Sequence, residues 1–179
     1  ILVEAKDDPI PDPGFGFVVP EAFDAEALDE VDATIRAVFP AWQLITPDEV
    51  RGGRSSLEEA VRMGDWPTLA RAKGRVLFAL DNGGRVRDLY VAGHPSLAGR
   101  VMFTDSPPGS AEAAFLKIND PLPDPDGIRA RVAEGYIVRT RADAEDVCQD
   151  AIIKALEKLD SCRTPDRFGP RLSEIVRNH

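Results

Sequence analysis

Histidine and cysteine are nearly absent: two of each in 179 residues. Both cysteines, Cys148 and Cys162, lie in the last quarter of the chain, where a helical segment is expected between them, so a structural disulfide is not expected. Their simplest role is that of small, partly buried residues. His94 falls in a Gly-His-Pro-Ser loop and His179 is the last residue. No apolar run approaches the roughly 18 residues of a membrane span. No initiator methionine or leader opens the given sequence, which leaves room for a targeting segment ahead of it. The chain opens on Ile1-Leu2-Val3, an apolar strand pattern, which reads as a start in mid-domain. Basic charge is in short supply as well. The formal net charge is -9, of which residues 141–179, with seven basic and eight acidic residues, carry only -1. An acidic body argues against broad nucleic-acid binding by residues 1–140 and is compatible with a cation site.

What is present is ordinary globular material: 43% apolar and 30% charged residues. Ile1–Lys6 reads as a buried strand ending in charge. Residues 7–20, rich in Pro and Gly, read as a loop. Asp24 can cap a helix over 24–38, with Leu28, Val31, Ile35 and Val38 at helical spacing. Residues 42–46 suit a short strand and 47–50 a helical turn. Ser55-Ser56-Leu57-Glu58-Glu59 is a capping box, pairing Ser55 with Glu58 or Ser56 with Glu59, ahead of a helix to about Met63. Pro67 can start a short helix that ends near Gly74.

Arg75–Asp81 is a continuous apolar run with a terminal carboxylate, the clearest strand. Helix is expected over 85–91. Strands are expected over 100–104 (ending in Asp105), 115–118 (ending in Asn119-Asp120) and 136–139, with a helix to about Glu134 before the last. The repeated unit is an apolar strand with polar residues at its C-terminal end, then a loop, then a helix. That repetition predicts an α/β fold with a parallel sheet. Five or six units are too few to close an eight-stranded barrel, so an open sheet and a partial barrel both fit.

From Asp143 the pattern changes. Asp143 can cap a helix with Glu145 and Asp146 in its first turn and Lys154 and Lys158 toward its end. Cys148, Ile152, Ala155 and Leu159 form one stripe. A second helix could bury Phe168, Leu172, Ile175 and Val176. Two adjacent amphipathic helices are a bundle element rather than another strand–helix unit. The expected division is therefore 1–142 and 143–179, with RADA at Arg141–Ala144 fitting both sides of the seam.

Five blocks, ILVEAKDDP at Ile1–Pro9, ITPDEVRGG at Ile45–Gly53, WPTLARAKGRVLFALDN at Trp66–Asn82, FLKINDP at Phe115–Pro121 and EGYIVRTRADA at Glu134–Ala144, resemble the calcium-dependent phosphoinositide phospholipase C-like proteins of bacteria and fungi. The resemblance covers about 1–144. It implies a TIM-like (β/α) barrel, here partial, which the two helices expected from Asp143 would follow as a C-terminal appendage. It also implies a phosphoric diester hydrolase of lipid metabolism. In that chemistry an inositol hydroxyl attacks phosphorus, a histidine pair moves protons, and Ca2+ stabilises developing charge. Glu4 matches a family calcium ligand; its alternative is a strand-end carboxylate paired with Lys6. Lys117, Asn119 and Arg139 are the expected substrate-binding residues, with Asp81 and Arg141 at similar strand ends. The planar fork of Arg139 suits a phosphate. The family's histidines precede the point that matches Ile1, and His94 lies outside the matching blocks. No catalytic residue is therefore assigned, and turnover by this chain is not expected.

Residues Arg141–Asn178 resemble region 2 of extracytoplasmic-function RNA polymerase sigma factors, through DAEDVCQDAIIKAL and RFGPRLSEIVRN. That resemblance implies an alternative function, a transcription-initiation module binding core RNA polymerase and promoter DNA, with Asp146, Gln149 and Asp150 on the polymerase-docking face. The segment departs from that pattern in several ways, among them the phospholipase-like sequence that replaces the preceding helix. Arg171 stands where a buried tryptophan is usual, and the segment's charge of -1 lacks the basic surface expected for DNA. The two resemblances point to different compartments, secreted for the first and cytoplasmic for the second. An open sheet edge, expected where further strands would pair, favours self-association.

Overall fold

The computed structural model describes residues 1–7, 10–12, 16–120 and 122–140. Expectations for 141–179, including the two-helix appendage and the seam at Asp143, lie outside these residues. In chain order the elements are β1 (Leu2–Val3), β2 (Ile10–Asp12), β3 (Gly16–Val18), α1 (Ala25–Val38), β4 (Leu44–Ile45), α2 (Pro47–Arg51), α3 (Leu57–Arg62) and α4 (Leu69–Ala72). Then come β5 (Val76–Leu80), α5 (Gly84–Val91), β6 (Met102–Thr104), β7 (Phe115–Ile118), α6 (Pro125–Ala133) and β8 (Ile137–Thr140), with 3-10 turns at Ala41–Gln43 and Pro95–Leu97. One compact unit comprises Ile1–Lys117 and Asp126–Val138; Ile118–Pro125 and the chain from Arg139 belong to a second.

The mixed α/β class is as the strand–loop–helix repetition predicts. β5 is the hub of the main sheet. It pairs in parallel with β1 (Val3 beside Leu80), β4 (Ile45 beside Leu77) and β6 (Ala79 beside Phe103). A further parallel bridge joins Asp105 to Phe115, and β7 pairs with β8. Among the described residues the strands form open sheets, not a closed ring. β5 is an uninterrupted apolar run because its last three residues, Phe78, Ala79 and Leu80, are all buried, as in sheets covered on both faces.

Two local expectations change. Residues 7–20 are not all loop: β2 and β3 form an antiparallel pair, Ile10 beside Val18 and Asp12 beside Gly16. Pro11 is compatible with a two-stranded ribbon, where one edge of each strand needs no ladder bond. The buried side of α1 is Leu28, Asp32 and Ile35, whereas Val38 is 66% exposed. The stripe is rotated toward a carboxylate because Asp32 meets a buried hydroxyl, that of Tyr90, which donates to it at 2.6 Å.

The helix starts follow their caps. Asp24 accepts from Ala27 N at 2.8 Å, and Ser56 accepts from Glu59 N at 3.0 Å. The carboxylate of Glu59 reaches back to Ser55, both N–H and hydroxyl, so the box straddles two serines. The core includes Leu28, Leu57, Leu80, Tyr90, Leu97, Met102, Phe103 and Phe115. Each such large side chain contributes about 1.5–3 kcal/mol by leaving water.

Candidate functional site

Because β1, β5 and β6 run parallel, their C-terminal ends open on one edge of the sheet, the edge on which ligands bind in parallel α/β folds. Polar residues gather there. The backbone ladder from β1 to β5 continues past the strands: Asp81 N donates to Val3 O at 2.8 Å. The amide of Asn82 then takes over as a surrogate peptide, accepting from Ala5 N and donating to Ala5 O, each at 2.8 Å.

Asp81, at the end of β5, is buried, and Lys117 of β7 meets it. The ammonium lies 3.0 Å from the Asp81 carboxylate and donates to the Asp81 carbonyl at 2.9 Å. The backbone N–H of Lys117 donates to Asp105 at the end of β6, also at 2.9 Å. Beside this, Arg87 of α5 donates to Ser106 at 3.2 and 3.1 Å and to Glu112 at 2.5 Å. Ser106 in turn shares a 2.8 Å hydrogen bond with Thr104, and both hydroxyls are fully buried. The apolar pattern gave no sign of Arg87, Ser106 or Glu112. Their only signal was a polar triplet, Thr104-Asp105-Ser106, directly after an apolar strand.

The predicted site residues fall as follows. Glu4 follows β1 and is level with the end of β5, but its side chain is half-exposed and pairs with Lys6 at 3.3 Å. Lys117 is the predicted substrate residue that enters the strand-end cluster of the first unit. In the second unit Arg139 donates to Asn119 at 3.0 Å. Asp146, Gln149 and Asp150 lie outside the described residues. His94 precedes the N-terminal end of β6, and its Nδ1 lies 2.8 Å from Ala98 O, so it takes no part in the cluster at the C-terminal ends.

A family model described as phosphoinositide phospholipase C, Ca2+-dependent, matches residues 1–160. The chain belongs to this family. No curated protein and no solved structure matches it.

The family's description names Ca2+, and the phospholipase C-like strand ends can be tested against that ion. Calcium takes six to eight oxygens at about 2.3–2.6 Å, several of them from carboxylates. Here the nearby carboxylates are already engaged: Glu4 by Lys6, Asp7 by Arg85 and by Phe23 N, Asp81 by Lys117, Asp105 through one oxygen by Lys117 N, and Glu112 by Arg87. The oxygen of Asn82 is held by Ala5 N. Among the described residues no group of three or more His, Cys, Asp or Glu is arranged to hold a metal. The described donors do not fit the ion.

The opposite end of the sheet is a structural lock. The Tyr90 hydroxyl donates to Asp32 and accepts from Val101 N at 3.2 Å and Met102 N at 2.9 Å. The Arg100 guanidinium lies over the Tyr90 ring at 4.3 Å, donates to Tyr90 O at 2.8 Å and pairs with Asp29 and Asp32. Burial pushes the Asp32 carboxyl above its ordinary value, against the opposing pull of Tyr90 and Arg100. Burial, with Asp32 alongside, also raises the Tyr90 hydroxyl far above its ordinary value. This network ties α1 and α5 to the start of β6.

Proposed function

We propose that this chain is part of a phosphoinositide-type phosphodiester-cleaving protein. Its strands would follow (β/α) barrel winding, and the substrate phosphate would be met at the C-terminal strand ends. The observation that carries this reading is the family match over residues 1–160, on a chain whose parallel strands place polar groups at that edge. Lys117 is the proposed phosphate contact in the first unit. Asp81 and its own carbonyl engage the ammonium from one side, and the side chain remains about one-fifth exposed, so a third N–H can meet an anion. Asn119 and Arg139 are proposed separately, as a pair that presents a guanidinium in the second unit. Calcium remains the family's expectation, and no step is routed through it.

The proposal extends to competence. General acid–base catalysis needs a group within hydrogen-bond reach of the reacting atoms. The two histidines of the sequence are His94 and His179. His94 is tied to Ala98 O and not to the strand-end cluster, and no acid–base group is assigned among the described residues, so turnover is not expected. For 141–179 the sigma-like reading is retained as the alternative, on its sequence blocks.

Sedimentation with phosphatidylinositol vesicles against phosphatidylcholine vesicles tests substrate recognition. Retention on the first that falls several-fold in Lys117→Gln, but not in Arg36→Gln near the other end of the sheet, supports it. Equal retention on both lipids, unaffected by Lys117→Gln, contradicts it. The alternative predicts specific retention by core RNA polymerase that is lost on changing Asp146 and Gln149.

A further inference from the structure

The mismatch between a family described by its calcium dependence and a strand-end cluster whose carboxylates are all engaged needs a physical explanation. A carboxylate at the end of a buried strand must be compensated, because an unpaired buried charge is costly. A divalent ion is one way to compensate it. A side-chain ammonium is another.

We infer that the ammonium of Lys117 takes the part of a cation against Asp81, so that this unit assembles without calcium. The geometry is that of a two-point clamp. The Asp81 side chain is 5% exposed, and Lys117 touches both its carboxylate, at 3.0 Å, and its backbone carbonyl, at 2.9 Å. Metal ions often collect this combination of side-chain and main-chain oxygen from one residue. Lys117 is itself fixed from behind, since its N–H donates to Asp105 on the neighbouring strand. Lys117 of β7 thereby ties down the C-terminal ends of β5, through its ammonium, and of β6, through its backbone N–H. A metal approaching Asp81 would have to displace this ammonium, and Glu4 and Asp7 are each held by other cations. The inference is independent of whether Lys117 also meets substrate.

Thermal unfolding of the 179-residue chain in calcium or in chelator tests it, with Lys117→Met, Asp81→Asn and the double variant. The wild-type Tm should be the same in calcium and in chelator. Lys117→Met should lower Tm by several degrees in chelator, because Asp81 loses its ammonium. The double variant should recover at least half of that loss, because the charge that needed compensation is gone. Two results would overturn the inference: a wild-type Tm that rises by several degrees with calcium, or a double variant no more stable than Lys117→Met. If the single variants fail to fold, the wild-type comparison still decides, since metal-assisted assembly requires a calcium-dependent Tm.

Discussion

Gly135 passes so close to Val61 that a Cβ built on it would lie 2.2 Å from the Val61 carbonyl oxygen. Its φ of +99° is also one that side chains rarely adopt. Here α6 ends and β8 approaches α3, and Trp66 fixes the turn by donating its indole N–H to Gly135 O at 2.8 Å. Tyr136 follows, donating to Glu58 at 2.6 Å. Gly135→Ala should therefore destabilise by about 2 kcal/mol or more through combined clash and strain. Urea unfolding checks this. A change under about 0.5 kcal/mol, the range of an ordinary surface substitution, would show that the turn relaxes freely.

The Tyr90–Asp32 contact yields a prediction with a definite sign in pH. Tyr90→Phe removes a hydroxyl acceptor shared by two buried N–H groups, those of Val101 and Met102, and the donor from Asp32. The expected loss is about 1–3 kcal/mol. Asp32→Asn should behave differently. The folded-state pKa of Asp32 is raised by burial above its unfolded value. Its contribution to stability is therefore fully present below the unfolded value and lost as pH rises through the folded one. Asparagine does not titrate. Relative to wild type, Asp32→Asn should fare better at neutral pH than in acid. Urea unfolding at both pH values reads this, and a difference that runs the other way would mean that Arg100 outweighs burial at this site.

Ser56 caps α3 and Glu59 clasps Ser55, so the two halves of the box are separable. Ser56→Ala should cost about 1 kcal/mol, and Ser55→Ala less, since Ser55 N–H still meets Glu59. Glu59 is held below the usual carboxylate range by its bonds to Ser55. The support it gives is present above its unfolded value and should fade as pH falls through the folded one. The Tm gap between wild type and Ser55→Ala should accordingly narrow in acid; a constant gap would contradict this.

Much of this fold can be read from local pattern. β5 declared itself as an apolar run, α1 by its Asp24 cap, and β7 by Phe115–Ile118, since each depends on residues close in sequence. Contacts over long separations could not be read this way. Tyr90 meets Asp32 across 58 residues and Lys117 reaches Asp81 across 36, and neither pair leaves a periodic trace. One clue was available: Asp32 lies four residues from Leu28 and three from Ile35, so a carboxylate occupied the apolar face and required a buried partner. The hairpin of β2 and β3 was hidden by Pro11 and Gly16, which locally favour a loop. For the site, Lys117 was legible as a polar residue at a strand end. Its engagement with Asp81 was not.

Glu4 separates the two readings of its strand end. It is half-exposed and paired only loosely with Lys6, and exposed pairs contribute roughly 0–1 kcal/mol. Glu4→Gln should leave stability nearly unchanged. Calcium binding to the wild type should be no tighter than roughly millimolar, as expected of an under-liganded site. Isothermal titration checks both proteins. Micromolar binding abolished by Glu4→Gln would mean that a complete ligand set forms around it.

The most direct measurement is the release of water-soluble inositol phosphate from phosphatidylinositol by the purified 179-residue chain, in calcium and in chelator. With His94 bound to Ala98 O ahead of β6, and Glu4 and Asp81 each paired with a lysine, the expected result is no release above the protein-free blank in either condition. Robust release that requires calcium and stops with chelator would contradict this, and would place a working acid–base pair and metal site within these residues.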